Sequence, residues 1–266
     1  SPTPKCNGTH KEYSGGSAQR MNTQNKVALV TGAGVRVGKA IAHRLANSGA
    51  RVAVHYRNSE TEAREFVDEI VSGGGQADMF QAELSDRSQV ESLVPAVVER
   101  FGSLDILINN ASVFQDRWLD ETDDANWDMN FAVNVTAPFL LSRSMAKQLD
   151  GNPGKIVNLT DWNTTRPKRF AYGVSKAALG GLTRSLAAAL APSIQVNELG
   201  LGAILLPVTA APDEDAELFE KLTSRTPLGR LGTPEVVAQV VMTLVENDYI
   251  TGETIYVDGG QRLSRA

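Results

Sequence analysis

The chain has 266 residues, 42% of them hydrophobic, enough for one large α/β domain or two small ones. A net charge of −5 gives no global basic field for nucleic acid, and no apolar run of about 18 residues is present to span a membrane. The single cysteine, Cys6, excludes an intrachain disulfide and fits a reducing, cytoplasmic compartment. Residues 1–20 are polar, rich in Gly, Ser and Lys, and lack an apolar signal core. They read as a tag or disordered extension, and the globular unit is expected from Met21 to Ala266.

The run 26–30 reads as a buried strand. A turn holding Gly32 and Gly38 follows, then an amphipathic helix over 39–49 with a glycine stop, then a second strand over 51–56. Strand, glycine turn, helix and strand make a βαβ unit with a parallel pair. The alternation continues with a helix over about 59–72, a strand over 77–81, a helix over about 88–101 and a strand over 104–108. A long helix over roughly 127–149, a strand over 155–160, a helix over 177–190 and short strands at 195–197 and 254–257 complete it. The expected fold is α/β: a single doubly wound (Rossmann) domain, with a seven-stranded parallel sheet flanked by helices. Residues 205–226, with Pro207, Pro212 and a cluster of acids, interrupt the pattern and read as a mobile lid or substrate loop.

The glycine turn lies at a helix N-terminus, where backbone N–H groups can approach a pyrophosphate. A tight turn without a ligand is the competing reading. NAD sites usually place an acid at the end of the second strand for the ribose hydroxyls. Here that stretch is His55-Tyr56-Arg57-Asn58-Ser59, with no acid. Arg57 and the Ser59 hydroxyl would bind a 2′-phosphate, and Arg36 inside the turn adds a second positive charge. NADPH is therefore expected, against the plainer reading of two solvated arginines.

Asn109-Asn110-Ala111-Ser112 follows the fourth strand at its carboxyl end, where ligands collect in open α/β sheets. Asn110 either braces the adenine side or serves the turn. Phe114 either stacks on a planar ring at the edge of the cleft or packs in the core. Asn134, on an otherwise apolar helix, has a hydrogen-bonding role or marks a bend. Tyr172 and Lys176 are four apart, so on a helix they share one face, a turn apart. A nearby ammonium lowers the phenol from its reference pKa of about 10, so that it can exchange a proton near neutral pH. Asp161 ends the preceding strand and can face the same site.

From about Lys26 to Ala266 the chain resembles the short-chain dehydrogenases/reductases. The resemblance rests on Thr31-Gly32…Gly38, Asn109-Asn110-Ala111, Asn134, Tyr172…Lys176 and Asp258-Gly259-Gly260, together and in order. Within that family it is most similar to the pteridine reductases. Arg36 stands where most relatives have Gly or Ala, and Asp161 stands near where most place a catalytic serine. His55-Tyr56-Arg57, the run from Asn110 to Phe114 and the ending from Asp258 are also similar. Leu201 for a usual Pro, Glu83 for a common Asp, and Trp162 beside Asp161 depart from the pattern.

The resemblance implies NADPH extended across the carboxyl edge of the sheet. Its contacts would come from Gly32, Arg36, Val37, Gly38, residues 55–59, Glu83, Leu84, Asn110, Ala111, Ser112, Thr160, Tyr172, Lys176, Gly202, Ala203 and Ile204. The implied substrate contacts are Arg36, Ser112, Phe114, Asp161, Trp162, Tyr172, Leu205 and Arg265. The implied catalytic set is Asp161, Tyr172, Lys176 and Asn134. In that scheme Lys176 hydrogen-bonds the nicotinamide ribose and lowers the Tyr172 pKa, and Asn134 holds a water linking Lys176 to solvent. A pterin or folate lies between the nicotinamide and Phe114, and Asp161 with Tyr172 delivers a proton to its ring nitrogen. A carboxylate suits pterin N–H donors, whereas an uncharged serine suits a carbonyl oxygen. The resemblance also implies a homotetramer of 222 symmetry in which Arg265 reaches a neighbour's pocket. Two alternatives stand beside this reading. One is a reductase of 3-ketoacyl or sugar ketones, weakened by the missing serine. The other is a non-catalytic NADP(H)-sensing protein, weakened by the retention of Tyr172 and Lys176.

Overall fold

A computed structural model of the chain describes residues 21–205 and 212–264. The expectations for residues 1–20, for Arg265 and for the part of the lid over 206–211 lie outside the described residues. The strands are β1 (Val27–Val30), β2 (Arg51–Tyr56), β3 (Gln76–Gln81), β4 (Ile106–Asn109), β5 (Gly154–Asp161), β6 (Ile194–Leu201) and β7 (Thr254–Val257). They form one seven-stranded sheet in the order β3-β2-β1-β4-β5-β6-β7, every pair parallel. The strand order reverses between β1 and β4, which opens a crevice at their carboxyl ends.

Alternating side chains of β1 feed two cores. Ala28 and Val30 join α1 (Arg36–Asn47), α2 (Glu60–Ser72) and α8 (Pro234–Glu246) on one face. Val27 and Leu29 join α3 (Arg87–Phe101), α5 (Ala137–Leu149) and α6 (Phe170–Leu190) on the other. A strand covered on both faces reads as an unbroken apolar run, which is why β1 and β4 are legible in the sequence.

Where the structure departs from the expected elements, side-chain caps and tertiary packing explain most of it. The single helix over 127–149 is instead α4 (Asp124–Phe131), a wide π turn (Ala132–Thr136) and α5. Asp123 starts α4 early by accepting from the Asn126 N–H. Asn134 sits inside the π turn, a deviation that is frequent at functional sites. Helix α6 begins at Phe170 rather than 177, so Tyr172 and Lys176 are both helical. Strand β6 spans eight residues rather than three, because Glu198 and Gly200 continue it. Part of the expected lid is a helix, α7 (Pro212–Ser224). Helix α8 was missed altogether: Thr233 accepts from the Val236 N–H and Pro234 fills the first turn.

Candidate active site

At the first βα turn, Gly32 has φ +64, and a Cβ on Gly38 would collide with the Gly32 carbonyl. The close approach of chain to chain leaves a cradle that fits a pyrophosphate at the N-terminus of α1. Arg36 also has a left-handed backbone, φ +52, at a position where the family pattern favours a small residue. Holding a non-glycine residue there costs of order 1 kcal/mol, and strain of this kind clusters at ligand sites.

Asn110 serves the turn. Its Nδ2 donates to the carbonyls of Thr31 (2.8 Å) and Gly32 (3.2 Å). The Thr31 hydroxyl accepts from the N–H groups of Asn110 and Ala111 in return. His55, expected as a cofactor contact, is buried beneath the turn instead. Its Nδ1 accepts from the Gly32 N–H (3.0 Å) and its Nε2 lies 3.1 Å from the Ala82 carbonyl. Both bonds are made by the neutral tautomer protonated on Nε2. Burial pushes its pKa down to about 4 against the opposing pull of the Ala82 hydrogen bond.

At the rim, Arg57 is not idle: its Nε is 3.5 Å from Glu83 Oε2. A Cβ on Gly34 would stand 3.0 Å from the Ser59 hydroxyl, so the start of α2 closes on the turn. Tyr56 and Leu84 are buried in the cores beneath, and Val37 packs half-buried against the same apolar layer.

The second cluster stands at the carboxyl end of β5. Asp161 Oδ1 accepts from the Asn163 N–H (2.8 Å) and from Arg166 Nη2 (3.0 Å), and Oδ2 accepts from the Tyr172 hydroxyl (3.2 Å). Burial, then the Asp161 charge and hydrogen bond, push the Tyr172 phenol well above its ordinary range. This corrects the expectation that Lys176 lowers it. The Lys176 ammonium instead donates to the Leu159 carbonyl (2.8 Å), and burial pulls its own pKa down to about 8 while Asp161 and Glu198 oppose the fall.

Asn134 is buried and bonded to the protein on both sides. Its Oδ1 accepts from the Val113 N–H and the Ser112 hydroxyl, both at 3.0 Å, and its Nδ2 donates to Ser175 Oγ (3.0 Å). Ser175 donates on to the Tyr172 carbonyl (2.7 Å). Asn134 therefore ties the loop after β4 to the first turns of α6.

Phe114 is half-exposed and meets the Tyr172 ring edge-on, with centroids 5.0 Å apart at 81°. The Arg169 guanidinium lies 4.0 Å over its centroid and bonds Asp116 at 2.7 Å. The Arg166 guanidinium lies 5.5 Å from the Trp162 ring centre. Arg166, Arg169 and Ser175 were missed by the sequence reading. Arg166 and Arg169 belong to an irregular loop, where no periodicity marks a face.

The remaining expected residues frame the exit from β6. The Thr160 hydroxyl donates to the Leu199 carbonyl and so is spent within the sheet. The Gly202 N–H bonds the Val257 carbonyl, and the Ala203 N–H bonds Gln261 Oε1 at 3.0 Å. Ile204 bridges to Gly232, and Leu205 is exposed with φ +67. Asp258 accepts from the N–H groups of Gly260 and Arg262, which explains the Asp-Gly-Gly spacing: the carboxylate folds the tail back onto this loop. No cluster of His, Cys, Asp or Glu suited to a metal is found among the described residues.

A family model described as enoyl-(acyl carrier protein) reductase matches residues 32–262. An uncharacterized oxidoreductase of Thermotoga maritima is 39% identical over 251 residues, covering 90% of this chain and 98% of that protein. The 3-oxoacyl-[acyl-carrier-protein] reductase FabG of Staphylococcus aureus is 36% identical over 241 residues, covering 88% and 97%. Among solved structures, FolM alternative dihydrofolate reductase 1 from Brucella canis, complexed with NADP, superposes with a TM-score of 0.86 at 37% identity, covering 92% of this chain and 97% of that one. Fold, motif order and relatives agree over nearly the whole length, and the chain belongs to the short-chain dehydrogenase/reductase family of oxidoreductases.

Proposed function

We propose that the protein is an NADPH-dependent reductase of pterin or folate-type substrates. The observation that carries this reading is the Asp161–Tyr172 pair, with Asp161 held by Arg166 at the carboxyl end of β5. A simple carbonyl needs one neutral proton donor at its oxygen. A pterin ring presents N–H donors as well as an acceptor nitrogen, and a carboxylate beside a phenol matches that mixture. The likeness to dihydrofolate reductases of the FolM type supports the same reading.

The Gly32–Gly38 cradle would hold the pyrophosphate of NADPH, and Arg57 with Ser59 the 2′-phosphate. Bound NADPH supplies the hydride. Lys176 spends one N–H on Leu159 and keeps two for the ribose hydroxyls. Tyr172 holds its proton firmly until a substrate nitrogen gains basicity, because the protein raises rather than lowers its pKa. Asp161 orients that hydroxyl and accepts from the substrate's N–H groups. Phe114 offers an exposed edge to the flat ring, while Arg169 covers its face. We also infer a homotetramer. Trp127 near the start of α4, Phe139 on α5 and Tyr256 on the edge strand β7 leave large apolar surface uncovered in the single chain.

The test is loss of NADPH absorbance with biopterin or dihydrofolate against a panel of ketones including a 3-ketoacyl thioester. Turnover of the pterins alone is expected. Turnover of ketones alone would establish the FabG-like reading, and tight NADPH binding without turnover would establish a sensor.

A further inference from the structure

Glu198 lies in the middle of β6 and is buried. A buried carboxylate is costly unless hydrogen bonds and opposite charge compensate it. Its oxygens meet two hydroxyls, Thr254 on β7 and Thr183 on α6, the latter at 3.4 Å. The Thr183 proton is contested, because the Leu179 carbonyl lies 3.0 Å from the same hydroxyl. No ion pair to Glu198 forms among the described residues, and these two hydroxyls are its side-chain partners there.

The geometry gives the direction. A Cβ on Gly180 would stand 3.1 and 3.2 Å from the two carboxylate oxygens, so the carboxylate rests against bare backbone of α6. Gly180 is four residues past Lys176 and Thr183 seven past it, which puts all three on one stripe of the helix. Beneath that stripe, Asn158 of β5 and Glu198 of β6 are register partners, and the Lys176 ammonium is bonded to the carbonyl of the next residue, Leu159. The carboxylate therefore sits about one helical turn from Lys176, inside the protein, where charge is weakly screened. Two anions act on Lys176: Asp161 from the end of β5 and Glu198 from β6. Tyr172, on its own helix, is a neutral phenol. Asp161 is already engaged by Arg166, whereas Glu198 has no such partner among the described residues.

We propose that Glu198 is a positioning residue of the active site, whose buried negative charge acts on Lys176 along this face of α6 and keeps the ammonium available to the ligand. The proposal rests on Lys176 working as a cation in the reaction outlined above. Burial alone drives Lys176 toward the neutral amine, and Glu198 opposes it.

Glu198→Gln keeps the size, exchanges one acceptor oxygen for a donor amide that a threonine hydroxyl can accept from, and removes the charge. The alkaline limb of the kcat/KM profile should move to lower pH by about one unit, so that the loss of turnover grows from roughly twofold at pH 7 to roughly tenfold near pH 8.5. Glu198→Asp restores the charge and should bring the limb back. Glu198→Met, an apolar replacement that cores tolerate well, should move the limb as Gln does and keeps the test open if the Gln variant does not fold. The limb is to be followed with whichever substrate is turned over, pterin or ketone, so a wrong substrate class does not touch the result. If neither is turned over, the pH dependence of NADPH affinity reads the same cation. Variants that lose stability while the limb stays in place would show Glu198 to be a core hydrogen-bonding partner only, and would overturn the proposal.

Discussion

The two halves of the carboxyl edge are built on different principles. The cradle after β1 is shaped by backbone: Gly32 and Gly38 give room, and Thr31, Asn110 and a neutral His55 hold the turn from three sides. The corner between β5 and α6 is shaped by charge: Asp161 at the end of β5 and Arg166 from the loop after it meet at the Tyr172 phenol, with the buried Lys176 one turn further along α6. Damage to the first should act through fit and show at every pH where the turn is intact. Damage to the second should act through protonation and show as a moved pH profile.

The largest expected effect comes from removing the proton held at the charged corner. Tyr172→Phe keeps the ring and its edge contact with Phe114 but removes the donor, so turnover should fall by about 10²–10⁴-fold with NADPH affinity nearly unchanged. Equal losses in both would make Tyr172 a binding residue. Asp161→Ala comes next at the same corner. It strips the hydroxyl of its acceptor and leaves Arg166 without its carboxylate, and pterin turnover at neutral pH should drop by about tenfold or more. Unchanged turnover would remove Asp161 from the chemistry.

A pH experiment sharpens the cradle side. His55 has a folded pKa of about 4, below its ordinary value of about 6.5, because it is buried neutral. Between those values the unfolded chain binds the proton and the folded chain does not. The stability from neutral His55 is therefore complete above about pH 6.5 and is lost as pH falls toward 4, by up to about 3 kcal/mol. Urea unfolding of the wild type across that window, against His55→Asn, should show the slope only in the wild type. Parallel curves would mean the imidazole is not the titrating group.

Cofactor preference is a smaller effect. Arg57→Asp should shift selectivity from NADPH toward NADH by about tenfold, at the low end for a charged hydrogen bond because Glu83 already shares the guanidinium. Equal use of both cofactors by the wild type would break the reading of the second strand. The smallest expected effect is on assembly: deleting Arg265 and Ala266 should raise KM for the pterin a few-fold and leave that for NADPH in place. A monomer by sedimentation at micromolar concentration would count decisively against the tetramer on which that prediction depends.

Much of the cradle was legible because its demands are local. The glycine positions, the absence of an acid after β2 and the apolar runs of β1 and β4 are each properties of a few consecutive residues. The roles of His55 and Asn110 were not legible. Each turns inward to bond a backbone group 23 or about 79 residues away, and no spacing announces such a partner. The charged corner was half legible. Tyr172 and Lys176 declare themselves by helical spacing, and Asp161 by ending a strand. Arg166 and Arg169 lie in a loop with no period, and Glu198 breaks the apolar pattern of β6 without any local sign of why.

The sequence by itself determined the alternation of strand and helix, the parallel sheet and the presence of Asp161, Tyr172 and Lys176 at its carboxyl edge. Those follow from hydrophobic periodicity and short motifs, which depend on neighbours in the chain. The tertiary structure alone decided which way the protons lean. Burial raises Tyr172 and lowers Lys176; Asp161 adds to the rise at Tyr172, and Asp161 and Glu198 oppose the fall at Lys176. Protonation depends on distance and depth in three dimensions, and neither is written in the order of residues along the chain.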